Sequence, residues 1–331
     1  CCSSMDWKPF DCGTITAQVT TRPWISWSVI MQPTLKTWSP SQPACTNGWS
    51  CDTGLSHSVW SDNVALAQGK WDWTGYGQTD RGLVRSTNQD AFLVDNRRRL
   101  WAVADGMGGH PGGDVASRIV MDTLADFSPS LIRNSDNLDE DHTEQQSFRL
   151  TTMAEQAHDA VRAYADRHPS VYGMGTTLVM AHLMPLPAPR LLVLNVGDSR
   201  AYLVRAGRIT QLTRDHTLID DYVREGRLTP EQAARHPDRH VLTRAIGLEP
   251  VLQIDLFPVD VFVGDVLLLC SDGLTKMLPD EHILKIAQSH RDSPSLTTQA
   301  LIQAAIDTGG IDNITVVACA MTSLPDQGNI H

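Results

Sequence analysis

The chain has 331 residues, room for one large domain or two modest ones. Hydrophobic residues make up 41% and charged residues 20%, which excludes a wholly disordered chain. A formal net charge of −11 with no local basic patch excludes binding driven by a nucleic-acid backbone, and no apolar run is long enough to span a bilayer.

Residues 1–70 read differently from the rest. Their acids (Asp6, Asp11, Asp52, Asp62) and bases (Lys8, Arg22, Lys36, Lys70) cancel, so the whole −11 belongs to residues 71–331. Eight of the nine Trp fall within residues 1–73 and five of the seven Cys within residues 1–51, as if two segments of different history were joined. Neither a 3.6-residue nor a 2-residue period runs through the segment. Residues 24–31 are apolar but interrupted by Ser26 and Ser28 and preceded by no cluster of bases, a poor signal peptide. Cys1, Cys2, Cys12, Cys45 and Cys51 are odd in number and form no CxxC pair, which argues against a closed disulfide framework and against a zinc knuckle. The chain begins with Cys1 instead of Met. The expectation is a poorly ordered extension, or sequence translated from upstream of the true start.

From Trp71 the pattern becomes regular. Apolar runs ending in Asp or Gly predict buried strands at 100–105, 190–198 and 265–272, and β-branched runs predict further strands at 174–182 and 313–320. Helical spacing appears at 113–127 (Val115, Ile119, Val120, Leu124), at 148–167 (Leu150, Met153, Ala157, Val161, Tyr164) and at 296–308 (Leu301, Ala304, Ala305). Asp280 and Ser295 are the expected N-caps of the last two helices. Residues 128–147 are acidic and polar and read as an exposed loop. Consecutive strands with helices in pairs predict α+β layers of antiparallel sheet with helices outside.

Several strand ends carry an Asp near a Gly: Asp105-Gly106, Gly197-Asp198, Asp272-Gly273 and Gly310 with Asp312. Asp90 is a further candidate. Carboxylates gathered at strand ends repel one another unless a cation is present, and oxygen donors suit Mg²⁺ or Mn²⁺. Without an HExxH string or paired His, a zinc hydrolase is disfavoured.

The order of these strings closely resembles the metal-dependent protein phosphatase family, the type 2C serine/threonine phosphatases, in its bacterial form. The strings are TDRGLVRSTNQDAF at 79–92, VADGMGGH at 103–110, GMGTT at 173–177 and NVGDSRAY at 195–202. LTRDH at 212–216, LTRAIG at 242–247, LCSDGL at 269–274 and GIDNIT at 310–315 follow in family order. The likeness runs from about residue 74 to about residue 322, and residues 1–70 have no counterpart. It implies residues 71–325 as the phosphatase domain, 1–70 as an extension and 326–331 as a tail.

The resemblance implies a β-sandwich of two antiparallel sheets flanked by helix pairs, with two Mg²⁺ or Mn²⁺ ions at one end. Asp105 should bridge both ions, the Gly106 carbonyl bind one, and Asp272 and Asp312 the other. Asp90 should act through a metal-bound water. Asp198 with Asp272 matches a third, weaker site. A metal-bridging hydroxide would then attack phosphorus in line, with Arg85 neutralising the phosphoryl oxygens. His110 stands three residues after the position where animal and plant members often have a general acid, which here is Met107. Two readings stay open for it: protonating the leaving oxygen, or orienting substrate and water. Gln89 replaces the more frequent Glu and adds no charge, so that ion should be held less tightly, not lost. Cys270, flanked by Leu and lacking a CxxxxxR string, reads as a core residue. Residues 217–241 match the variable flap, either a solvated loop or a substrate selector.

The implied activity is hydrolysis of phosphoserine and phosphothreonine in proteins, opposing a bacterial Ser/Thr kinase, by a cytoplasmic monomer. Two other readings compete. A phosphoprotein- or kinase-binding pseudo-phosphatase would lack metal carboxylates, yet Asp105, Asp272 and Asp312 are all present. The Trp-rich segment 1–70 is the other, as a binding module for a partner or an envelope polymer.

Overall fold

The computed structural model describes residues 71–107, 112–131, 141–184, 189–233, 235–248 and 250–323. The expectations for residues 1–70, for 326–331 and for His110 lie outside them. In chain order the strands are β1 (Trp71–Asp80), β2 (Asp90–Asp95) and β3 (Leu100–Asp105), followed by helices α1 (Gly113–Phe127) and α2 (Asp141–Arg167). Next come β4 (Leu178–Met184), β5 (Arg190–Val196), β6 (Arg200–Arg205) and β7 (Arg208–Gln211), then α3 (Leu218–Arg224) and α4 (Pro230–Ala233). The chain continues through β8 (Asp255–Asp260), β9 (Val266–Cys270), α5 (Asp272–Thr275), α6 (Asp280–Ser289), α7 (Pro294–Asp307) and β10 (Ile314–Ser323).

The strands form two five-stranded sheets, ordered β1-β10-β9-β6-β7 and β2-β3-β4-β5-β8, and every pairing is antiparallel. This is the expected α+β sandwich. Three apolar layers hold it. Between the sheets lie Trp101, Val103, Val179, Val193, Leu203, Leu269 and Val317. Leu100, Ala102 and Ala104, the alternate residues of β3, face the other way, onto Val120 and Leu124 of α1 and Leu150 and Met153 of α2. Leu268, Cys270, Val316 and Ala318 pack on Leu301 and Ala305 of α7. Strands covered on both faces explain the unbroken apolar runs, and each fully buried side chain contributes about 1.5–3 kcal/mol. Gly75 in β1 is required where Trp101 crosses: a Cβ there would lie 2.3 Å from the indole nitrogen.

Several local expectations need correction. α2 starts at Asp141, so residues 141–147 are helix and not loop, because helical turns continue beyond the apolar stripe. Phe148 is exposed and does not start the packed face. The β4 strand begins at Leu178, since residues 174–177 pair only through isolated bridges from Thr176 to Gly106 and Ile246. In α1 the buried stripe is Ala116, Val120 and Leu124, while Val115 and Ile119 are only partly covered. Asp280 is the first residue of α6 with Pro279 as its N-cap, and the cap of α7 is Ser293, whose hydroxyl accepts from the Leu296 amide. Among the described residues, no helix is long and apolar enough to cross a membrane.

Candidate metal centre

Antiparallel order puts the end of one strand beside the start of the next. The start of β2, the end of β3, the β5–β6 turn, the end of β9 and the start of β10 therefore meet at one end of the sandwich. Asp90 and Asp105 are direct partners across the β2–β3 ladder, a placement in which like charges oppose each other. A cavity of about 530 Å³ opens there, lined by Asp105, Gly106, Asp198, Asp272 and Asp312 below and by Arg85, Arg239, His240 and Lys276 around them. The structure thus brings together Arg85, Asp105, Gly106, Asp198, Asp272 and Asp312, with Asp90 buried behind Asp105.

Each carboxylate is positioned by groups far away in sequence. Asp90 Oδ2 accepts from Ser271 Oγ at 2.8 Å and from Thr315 Oγ1 at 2.7 Å. The Asp105 amide donates to Thr177 Oγ1 at 2.9 Å, and the Thr177 amide returns a bond to the Asp105 carbonyl at 2.9 Å. The Gly197 amide donates to His216 Nδ1 at 3.0 Å, which fixes the turn bearing Asp198. The other ring nitrogen of His216 lies 3.2 Å from Asp255, so the imidazole is oriented from both sides, and burial holds it below the usual histidine range. Asn313 ties the Arg85 loop down: its Oδ1 accepts from the Gln89 amide and its Nδ2 donates to the carbonyls of Arg81 and Thr87, all at 2.9 Å.

Gly106 sits where three backbone segments touch. A Cβ on it would lie 2.2 Å from the Gly113 carbonyl oxygen and 2.6 Å from that of Gln89. The Gln89 carbonyl accepts from Gly106 N and from Ser117 Oγ.

The electrostatics follow from crowding. Burial pushes Asp105 well above the carboxylate range, and the charges of Asp90, Asp272, Asp198 and Asp312 push it further. Burial raises Asp90 to about 6, against the bonds from Thr315 and Ser271. Burial, reinforced by Asp272 and Asp215, raises Asp198 to about 7. Asp312 goes the other way: burial would raise it, but Lys276, the Asn313 amide and Arg85 together hold it below its ordinary value.

Asp90 Oδ1 and Asp272 Oδ1 are buried and have no hydrogen-bond partner. Orphaned carboxylate oxygens inside a ring of other carboxylates fit a hard divalent cation. Among the described residues, however, no three of His, Cys, Asp and Glu are gathered as a ready-made metal group. Side-chain cations stand at the other Asp272 oxygen and at Asp312. Arg85 pairs in bidentate fashion with Asp312, Nε to Oδ1 at 2.9 Å and Nη2 to Oδ2 at 3.0 Å. Lys276 Nζ lies 2.5 Å from Asp272 Oδ2 and 2.8 Å from Asp312 Oδ2.

Three outcomes complete the site. His110 lies outside the described residues. Cys270 is a buried core residue whose thiol burial pushes up to about 12, as its apolar flanks implied. The flap 217–241 holds α3 and α4, is closed at its base by a Thr217–Leu242 bridge, and sends Arg239 and His240 to the cavity. Sequence reasoning missed Lys276, although its position four residues after Asp272 places it over that carboxylate on a helical turn. The roles of Ser271, Thr315 and His216 were also unread. Only their adjacency to the motif aspartates and the Gly197 turn hinted at them.

Residues 75–305 match the family model for protein phosphatase 2C. The chain is 38% identical over 244 residues to the serine/threonine protein phosphatase PstP of Mycobacterium tuberculosis, a match covering 72% of this chain and 43% of that protein. It is 37% identical over 246 residues to the serine/threonine phosphatase stp of Listeria welshimeri, covering 72% of this chain and 92% of that one. Among solved structures, the catalytic domain of PstP with two manganese ions superposes with a TM-score of 0.64 at 35% identity, covering 76% of this chain and 100% of that one.

Proposed function

This chain belongs to the protein phosphatase 2C family, and from that premise we propose that it is a metal-dependent phosphatase acting on phosphoserine and phosphothreonine in proteins. The observation that supports this most is the convergence of four aspartates on one cavity with a fifth, Asp90, behind them, Asp90 Oδ1 and Asp272 Oδ1 being buried and unpartnered. Asp105, the Gly106 carbonyl, Asp272 and Asp312 would hold two Mn²⁺ or Mg²⁺ ions, Asp90 an intervening water, and Asp198 with Asp272 a third ion. Bound there, divalent cations supply a water ionised near neutral pH and positive charge against the phosphoryl oxygens.

The chain's own residues do the rest. Arg85, whose planar fork rests on Asp312 here, has the geometry to hold two phosphoryl oxygens instead, on a loop that Asn313 fastens to the carboxylate cluster. Thr177 holds Asp105 through its backbone, and Ser271 and Thr315 hold Asp90 through Oδ2, which leaves Asp90 Oδ1 free. Arg239 and His240 face the cavity from the flap, where a phosphorylated segment would enter. His110 either protonates the leaving hydroxyl oxygen or orients the substrate. The same reading makes the partners phosphorylated proteins and an opposing Ser/Thr kinase, with the enzyme a cytoplasmic monomer. It rests on the family likeness.

The test is hydrolysis of p-nitrophenyl phosphate and of a phosphothreonine peptide with Mn²⁺. EDTA should abolish turnover and added Mn²⁺ restore it. A full rate in EDTA sinks the proposal.

A further inference from the structure

Lys276 caps the C-terminus of the short helix that starts at Asp272. That spacing returns its ammonium to the first residue of the turn, where Nζ is 2.5 Å from Asp272 Oδ2. The same nitrogen is 2.8 Å from Asp312 Oδ2, on the segment that leads into β10, the strand beside β9. One positive charge therefore bridges two carboxylates that the metal-centre reading assigns to the same ion. The site is well enclosed: side-chain exposure is 23% for Lys276, 16% for Asp272 and 14% for Asp312. In such a place an ion pair is screened less than on an open surface. The opposite side of the centre is built differently, from Asp105 and the Gly106 backbone, and among the described residues no lysine bridges carboxylates there.

We propose that Lys276 is a tethered competitor of the divalent cation: its ammonium occupies Asp272 Oδ2 and Asp312 Oδ2, the latter shared with Arg85, and a metal ion must displace it to bind those two oxygens together. The inference rests on the reading of these aspartates as metal ligands and adds to it. The flexible four-carbon stem lets the ammonium leave without breaking a bond, and it remains charged when displaced. The consequence is an asymmetric centre. The ion on Asp272 and Asp312 binds more weakly than the ion on Asp105 and Gly106, so occupancy of the second site responds to the free metal concentration.

The test is Mn²⁺ binding to the full chain, followed by the EPR signal of free Mn²⁺ and by calorimetry. Lys276→Met keeps the stem and removes the charge. It should tighten the weaker Mn²⁺ site by about tenfold or more and leave the tighter site within about twofold. Lys276→Arg, which keeps the charge, should stay near the wild type. In EDTA, Lys276→Met should melt below the wild type, because the carboxylates lose their counter-charge, and saturating Mn²⁺ should close that gap. If Lys276→Met is insoluble, Lys276→Gln serves the same measurement. Wild-type binding with no tightening in the uncharged variants overturns the inference alone. Failure of every form to bind Mn²⁺ overturns the metal-centre reading and the inference with it.

Discussion

Thr315 donates its hydroxyl to Asp90 Oδ2 at 2.7 Å, joining β10 to the first residue of β2. It ends a relay of donors. Asn88 Nδ2 donates to Thr79 Oγ1 at 2.8 Å, and Thr79 Oγ1 lies 2.6 Å from Thr315 Oγ1. Because Thr315 gives its proton to Asp90, Thr79 must be the donor to Thr315. Ser271 completes the cradle, donating to the same oxygen while accepting from the Thr315 amide at 3.0 Å. Thr315→Val should weaken Mn²⁺ binding about 10- to 100-fold and cost about 1.5–3 kcal/mol of stability. Thr315→Ser should restore both. Manganese titration and urea unfolding check this, and wild-type values for the valine variant would contradict it.

Asp272 and Asp312 meet a stronger demand. On the proposed reading their removal takes away ligands, not supports. Asp272→Ala should reduce turnover by more than about 100-fold, beyond the usual effect of losing an outer partner. An Asp272→Ala protein with full Mn²⁺-dependent activity would end the two-metal assignment.

Gly273 predicts a steric effect. A Cβ there would lie 1.9 Å from the Asn313 carbonyl oxygen, which is backbone and cannot swing aside. Gly273→Ala should therefore push apart the segments bearing Asp272 and Asp312. A loss of about 1–3 kcal/mol is expected from such overpacking, together with weakened metal binding. Unfolding curves coincident with the wild type would show that the contact can relax.

His182, in β4, supplies a pH dependence away from the centre. Burial lowers it to about 4, and its Nδ1 lies 3.2 Å from the Arg99 carbonyl, a contact that the neutral ring makes as donor. In the unfolded chain it titrates near 6.5. Between these values the unfolded state binds more protons, so stability is lost as pH falls from about 6.5 to about 4, by up to about 3 kcal/mol. The raised carboxylates Asp90 and Asp198 act with the opposite sign. The difference between wild type and His182→Gln isolates the histidine, and a pH-independent difference would refute its assignment as a buried neutral ring.

Arg85 is half of a bidentate pair with Asp312 and faces the cavity. Arg85→Ala should lower kcat/KM about 100-fold through lost phosphoryl contacts, and Arg85→Lys should rescue little of it, because one ammonium cannot match the fork. Steady-state kinetics on the phosphothreonine peptide decide this. Full rescue by lysine would show that charge alone matters.

The strands 100–105 and 190–196, helix α1 and the aspartates flanking them were legible because each is a local pattern: an apolar run, a 3.6-residue stripe, a carboxylate beside a glycine. The order of the short strings further indicated the family. The start of α2 was not legible, because its first two turns are polar and carry no stripe. The ladder pairing of Asp90 with Asp105 and the Thr315–Asp90 bond were equally hidden, since each depends on strand register between distant segments.

The chain alone therefore determined which residues have the chemistry for a cation-dependent centre, because side-chain identity and local spacing are properties of the chain. Tertiary structure decided which of them share charge. It set Lys276 between Asp272 and Asp312, Arg85 on Asp312, and the donor relay behind Asp90, because Coulomb and hydrogen-bond energies depend on distance and burial that only packing supplies.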